Sequence, residues 1–265
     1  GLPRPLIEMT IFPTPTMQHA DDRGLAGQPA TEAAVARPAT TRAALTRDVR
    51  VIRGFNLFVA LVLLVVSLPL WVVIALAIKL TSRGPVFYLQ QRVGLDLRLR
   101  ADRRRAAGRD RPPRRGGDIG GKPFVIVKFR TMCTNAESGG KAVWAASNDD
   151  RLTPVGGFLR SCRLDELPQL INVIRGDMNL VGPRPERPQL FVELREQIPG
   201  YQHRQRVHPG ITGHAQVHLQ YDTSVEDVKR KVQHDLEYIA RRSVWEDLRI
   251  MLKTIPVMLF RKGGW

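Results

Sequence analysis

The chain has 265 residues and a formal charge of +16, from 41 Lys and Arg against 25 Asp and Glu. Its 43% apolar content suits a folded core, and the charge excess points to polyanions: lipid headgroups, nucleotide phosphates or nucleic acid. The two cysteines, Cys133 and Cys162, have no metal-type spacing and exclude a disulfide framework in a chain this long.

Residues 1–46 are rich in Pro, Ala, Thr and Arg and lack apolar periodicity, which predicts a disordered tail. A short helix is expected over Ala43–Val51. The first apolar stretch begins near Phe55, too far in for a secretory leader. Phe55 to Ile78 carries no charge and has the length of a membrane helix. Ser67 and Pro69 interrupt its middle, and a proline there removes a backbone hydrogen bond and kinks the helix. Arg47, Arg50 and Arg53 precede the segment, and Lys79, Arg83 and Arg92 follow it. The positive-inside rule assigns both flanks to the cytoplasm. A helix that breaks at Ser67–Pro69 and returns satisfies both features; a kinked span with a translocated tail stays open on the residues alone.

Pro85 to Gly94 reads as a short strand and a turn. Residues 95–121 form a loop insertion, whose Arg98–Arg115 run holds nine arginines against Asp102 and Asp110. Such a run suits a solvated loop or a brush for anionic lipid heads. No aromatic residues interleave for base stacking, which argues against nucleic acid. Lys122 to Met132 alternates Phe124, Ile126 and Lys128 on one face and predicts a strand. Helices are expected over Val155–Arg163, Pro168–Arg175 (stopped by Gly176), Val225–Ala240 and Ser243–Phe260. The last sets Val244, Leu248, Met251, Leu252 and Ile255 on one face, as a membrane-surface helix does.

Chemistry concentrates between residues 147 and 188. Asp165 and Glu166 precede Pro168, a residue favoured in a first helical turn, so the acidic pair falls at a helix N-terminus. An acidic pair there has an ordinary structural role, with Asp165 as N-cap and Glu166 complementing the helix dipole. Its company suggests more. Arg151, Arg160 and Arg163 lie upstream, Lys128 and Arg130 close the strand, and Arg184 sits between Pro183 and Pro185 in a rigid loop. Arginine forks and lysines bind phosphate oxygens, and carboxylates with a hard metal amid cations make a phosphoryl-transfer site. Arg92, Arg130, Arg151 and Arg163 are the candidate phosphate binders.

From about Arg47 to Leu259 the sequence resembles the bacterial sugar transferase family, small monotopic phosphoglycosyl transferases. The resemblance rests on Ser67-Leu68-Pro69, QQRVG at Gln90–Gly94, KPFVIVKFRTM at Lys122–Met132, LDELPQLINVIRGDMNLVGPRP at Leu164–Pro185 and HPGITGHAQV at His208–Val217. It implies a mostly helical α+β fold with a re-entrant helix-break-helix anchor over 47–80 and a catalytic domain over 81–265. It implies that Asp165 is a nucleophile toward the sugar-linked phosphorus of a UDP-sugar, with UMP released and polyprenyl (undecaprenyl) phosphate as acceptor. Glu166 would assist with Mg²⁺ and proton handling, with Asp165 and Glu166 as the metal ligands and Lys128 and Arg184 as catalytic cations. The expected location is the cytoplasmic face of a bacterial inner membrane, among anionic lipids, with the oligomeric state open. Two departures stand out: His214 where the family usually has Trp, and the Arg98–Arg115 run where it usually has a short turn.

Overall fold

A computed structural model of the chain describes residues 42–96, 119–134, 136, 149–219 and 224–260. Most of the expected tail and the whole Arg98–Arg115 run lie outside the described residues.

Helix α1 (Arg42–Thr81) is a single 40-residue element that absorbs the short helix expected over Ala43–Val51. Val49–Thr81 is long and apolar enough to cross a membrane. Hydrogen-bonded helix runs through Pro69, so the expected break at Ser67–Pro69 does not appear as an interruption. Side chains bond locally beside the proline. Ser67 Oγ donates to the Leu64 carbonyl at 3.2 Å and accepts from Trp71 Nε1 at 3.1 Å.

Both limbs of α1 pack on the rest of the chain. Ala60 joins a core with Phe124, Ile126, Leu170 and Val173; Ile74 and Ile78 join another with Phe129 and Leu159. Each isoleucine, leucine, valine or phenylalanine among them, fully buried, contributes about 1.5–3 kcal/mol. Between the limbs, Val65, Val66, Val72 and Val73 are exposed. The N-terminal limb also carries polar anchors. Arg53 donates to the carbonyls of Met178 (2.7 Å) and Val173. Asn56 accepts from the Leu180 amide at 2.8 Å and donates to the buried Asp247 at 2.9 Å.

Strands β1 (Phe87–Val93) and β2 (Pro123–Phe129) pair antiparallel, with Phe87 opposite Phe129 and Val93 opposite Pro123. Alternation along β2 buries Phe124 and Ile126 in one core and turns Phe129 toward α1. Helices α2 (Pro154–Ser161) and α3 (Gln169–Arg175) follow, separated by a 3₁₀ turn at Leu164–Glu166. Thr153 caps α2 by accepting from the Gly156 amide at 3.0 Å, and Pro154 takes the first turn. A Cβ at Gly156 would lie 1.9 Å from the Thr131 carbonyl, so only glycine lets α2 sit against the end of β2. Gly176 ends α3 at φ 91°, where glycine carries no steric penalty.

Strand β3 (Asn179–Val181) pairs in parallel with β4 (Gly210–Thr212). Around them lie α4 (Pro188–Gln197), a 3₁₀ turn at Tyr201–Arg206, α5 (His214–His218), α6 (Val225–Arg241) and α7 (Val244–Phe260). The exposed apolar face of α7 differs from the expected one. Ile250 and Asp247 point inward, Leu248 and Met251 are half-buried, and Trp245, Leu252 and Ile255 face outward. Periodicity located a stripe, but the inward Asp247, bonded to Asn56 and Tyr238, rotates which residues are covered.

Candidate active site

Asp165 and Glu166 occupy the 3₁₀ turn ahead of α3, and both are buried. The turn is entered through Arg163 at φ 54°, a left-handed conformation that non-glycine residues seldom adopt. The sequence places the pair at or just before a helix N-terminus, where N-capping by Asp165 is its ordinary structural role. Instead, Pro168 occupies the cap position of α3 and no side chain caps it. The acidic pair thus makes its own turn, and capping does not account for it.

One buried residue fixes the distance between this turn and β2. Asn172, on α3, donates to the Val125 carbonyl at 2.7 Å and accepts from the Val127 amide at 3.1 Å. It thereby satisfies the free edge of β2 as a neighbouring strand would. Lys128 is the next residue along β2, and its Nζ donates to Glu166 Oε1 at 2.8 Å. Arg184, in the loop after β3, donates from Nη2 to the same oxygen at 2.7 Å and from Nη1 to Glu166 Oε2 at 3.4 Å. Glu166 is therefore held by two cations. For Asp165 the nearest cationic partner among the described residues is the Lys128 ammonium, at 4.0 Å.

The two carboxyls consequently titrate apart. Burial pushes Asp165 up to about 6, aided by the Glu166 charge and opposed by Lys128 and Arg184. Burial alone would raise Glu166 as well, but Arg184 and Lys128 outweigh it and hold the group well below the usual carboxylate range. Neighbouring carboxyls pushed apart in this way are a mark of divided chemical roles. Glu166 stays an anion that fixes two cations, while Asp165 keeps oxygen lone pairs available.

A cavity of about 550 Å³ opens over the pair. Arg92, Lys128, Arg130, Arg151, Arg163 and Arg184 all line it, as do Asp165 and Glu166, so every catalytic or phosphate-binding candidate borders one space. Arg130 plays a different part at close range. Its guanidinium donates to the carbonyls of Arg83 (2.7 Å) and Ser82 (2.9 Å), fastening the exit of α1 to β2. Arg92 donates to the Pro185 carbonyl at 3.0 Å, and burial lowers its pKa to about 10. Arg151 is bonded to Asp149 at 2.5–2.6 Å. Arg187, which also lines the cavity, was not among the sequence candidates, although its place three residues after Arg184 could have flagged it.

Behind the Arg184 loop lies a second ionic cluster that the sequence did not reveal. Arg204 is fully buried; it donates to Asp235 at 2.7 Å, to Tyr201 Oη at 2.8 Å and to the Arg184 carbonyl at 3.1 Å. Lys231 donates to Glu186 at 3.0 Å. The Val93 amide donates to the Glu186 carbonyl at 2.9 Å, tying the loop to β1 as well. Arg184 is thus aimed by a backbone held from behind.

The chain is similar to known proteins along most of its length. The chain is 39% identical over 212 residues to a UDP-N-acetylgalactosamine-undecaprenyl-phosphate N-acetylgalactosaminephosphotransferase of Aeromonas hydrophila, covering 80% of this chain but 44% of that protein's length. To a UDP-glucose:undecaprenyl-phosphate glucose-1-phosphate transferase of Caulobacter vibrioides it is 38% identical over 233 residues, covering 87% of this chain and 78% of the relative. The exopolysaccharide production protein ExoY of Rhizobium meliloti is 32% identical over 230 residues, covering 80% and 87%. The bacterial sugar transferase model matches residues 47–101 and 111–261, which takes in both limbs of α1, the acidic pair and the Arg184 loop. The gap in that match falls inside the arginine run, and on either side of it the chain belongs to the bacterial sugar transferase family.

Proposed function

We propose that this protein transfers a sugar 1-phosphate from a UDP-sugar to polyprenyl (undecaprenyl) phosphate through a covalent intermediate on Asp165. The observation that carries the reading is the asymmetry of the acidic pair: Glu166 locked by Lys128 and Arg184, Asp165 left with Lys128 at 4.0 Å. A carboxylate oxygen of Asp165 attacks the sugar-linked phosphorus, the bond to the bridging oxygen breaks, and UMP leaves with that electron pair. An oxygen of polyprenyl phosphate then attacks the same phosphorus, releases the Asp165 carboxylate and yields the polyprenyl diphosphosugar. Lys128, Arg184 and Arg163 hold phosphate oxygens and counter the charge that gathers in the transition state. Glu166 orients Lys128 and Arg184; its lowered pKa favours this role over the proton handling expected from the resemblance.

The donor set fits Mg²⁺, which is commonly held by one or two carboxylates together with substrate phosphates. Asp165, with its free oxygens, and Glu166 Oε2, weakly bonded to Arg184 at 3.4 Å, are the residues that would hold it. When bound, it lowers the repulsion between an anionic nucleophile and a diphosphate.

A re-entrant α1 with both ends cytoplasmic completes the reading. Its support is that both limbs pack on the catalytic domain while the stretch around Ser67–Pro69 exposes valines and leucines. Trp245, Leu252 and Ile255 on α7 add a second apolar surface suited to the interface of a bacterial inner membrane with anionic lipids. Incubation with a panel of UDP-sugars, Mg²⁺ and undecaprenyl phosphate tests the activity. UMP release with one sugar supports it, whereas UDP release would mean direct glycosyl transfer. Cysteine tags near Arg47 and Arg83 test the topology: both are expected to label only after permeabilisation, and labelling of the Arg47 tag from outside would establish a span.

A further inference from the structure

The histidines of α5 and α6 take no part in the chemistry above. His214 and His218 lie one helical turn apart on α5, a spacing that puts both side chains on one face. His234, on α6, faces them: its ring centroid is 5.3 Å from that of His214 and 5.8 Å from that of His218. One ring nitrogen from each residue falls within 4.8 Å of the others. Among the described residues, Nδ1 of His214 and Nδ1 of His234 are buried without a hydrogen-bond partner. Orphaned polar atoms of this kind are rare in folded proteins and call for a ligand or another explanation.

We propose that His214, His218 and His234 form a binding site for a zinc-class divalent transition-metal ion, separate from the Asp165–Glu166 site. Three imidazoles are a donor set suited to Zn²⁺ and unsuited to Mg²⁺, which takes oxygen ligands. The His214 carbonyl lies 2.8 Å from His218 Nδ1, the outer-sphere bond that fixes a tautomer and leaves Nε2 for the metal. Glu237 and Glu246 come within 3.9 Å and 3.8 Å of the His214 ring nitrogens and counter the ion's charge. Lys253 Nζ lies 3.0 Å from His218 Nε2 and competes for that nitrogen. Being exposed, Lys253 swings away at little cost. The bound ion clamps α5 to α6.

The test uses the full chain without a polyhistidine tag, stripped by a chelator and titrated in detergent with Zn²⁺ or Co²⁺. Excess Mg²⁺ keeps the acidic pair occupied. One ion per chain is expected, with a rise in Tm and the visible ligand-field bands of tetrahedral Co²⁺. His218→Ala alters an exposed residue and leaves packing intact. It should weaken binding by at least the roughly 10–100-fold that even outer-sphere partners are worth. His234→Gln should abolish the Co²⁺ bands in a chain that still unfolds cooperatively, and Lys253→Met should tighten binding. Absence of binding by the unaltered chain overturns the proposal, as does binding that His218→Ala leaves unchanged or that Lys253→Met does not tighten.

Discussion

Two ionic clusters flank the Arg184 loop, and they treat charge differently. Behind it, Arg204 is paired with Asp235, and Glu186 with Lys231 at 3.0 Å and Arg204 at 3.7 Å. In front, Glu166 shares Lys128 and Arg184 while Asp165 stands 4.0 Å from Lys128. A buried charge with a close partner fixes position; a buried charge without one stays reactive. The rear cluster therefore reads as scaffold and the front cluster as chemistry, although their residue types are the same.

That contrast predicts which substitutions remove function and which remove the fold. Asp165→Asn should lower turnover by on the order of 10⁴–10⁶-fold, the scale on which removing a catalytic side chain acts. Thermal stability at neutral pH should hold or rise, because Asp165 carries no short ion pair to lose and asparagine removes a buried charge. Asp235→Ala should do the reverse in kind, destabilising the chain by about 3 kcal/mol because the buried Arg204 loses its 2.7 Å partner and keeps only Glu186 at 3.7 Å. Its turnover, measured while the protein remains folded, should fall far less than that of Asp165→Asn. A folded Asp165→Asn protein with near-normal UMP release would remove the distinction.

Acid should separate the clusters again. Asp165 must be ionised to attack, and its raised pKa puts the acid limb of turnover near pH 6. Glu186 shifts the other way. Burial would raise it, but Lys231, Arg204 and Arg92 hold it at about 2, below its ordinary 4.5. Its stabilisation is whole above about pH 4.5 and is lost as pH falls from there toward 2. The loss is on the order of 3 kcal/mol. Turnover should therefore decline near pH 6, where protonating Asp165 relieves the cost of burying its charge and so adds stability rather than removing it, and Glu186→Gln should flatten acid unfolding without moving the acid limb of activity.

The smallest effect is expected far from both clusters. Replacing Arg98–Arg115 with a short Gly/Ser turn should leave turnover in detergent nearly intact. In anionic liposomes it should produce a salt-sensitive deficit, since each cation near such a surface is worth about 1 kcal/mol or less and is screened. A collapse of activity in detergent would put one of these arginines in the site.

Much of this was legible in the sequence because it is local chemistry. Gly176 ends α3, β2 alternates, the apolar run marks α1, and Lys128, Asp165, Glu166 and Arg184 meet as their residue types suggested. Long-range bonds were hidden. Nothing near Arg130 announces that its guanidinium reaches the carbonyls of Ser82 and Arg83, or near Arg204 that it is buried against Asp235. Residue type gives the donor, and only the folded chain selects the acceptor. The same holds for the histidines: spacing pairs His214 with His218, but His234 arrives through the packing of α6.

The most direct test is a single turnover with a labelled UDP-sugar and Mg²⁺ in the absence of polyprenyl phosphate. A burst of one UMP per chain is expected, with the label and the mass of a phosphosugar on the peptide that carries Asp165. Both should disappear in Asp165→Asn and be discharged from the unaltered chain on adding undecaprenyl phosphate. UMP that appears only after the acceptor is added, with no adduct on Asp165, would contradict a covalent route.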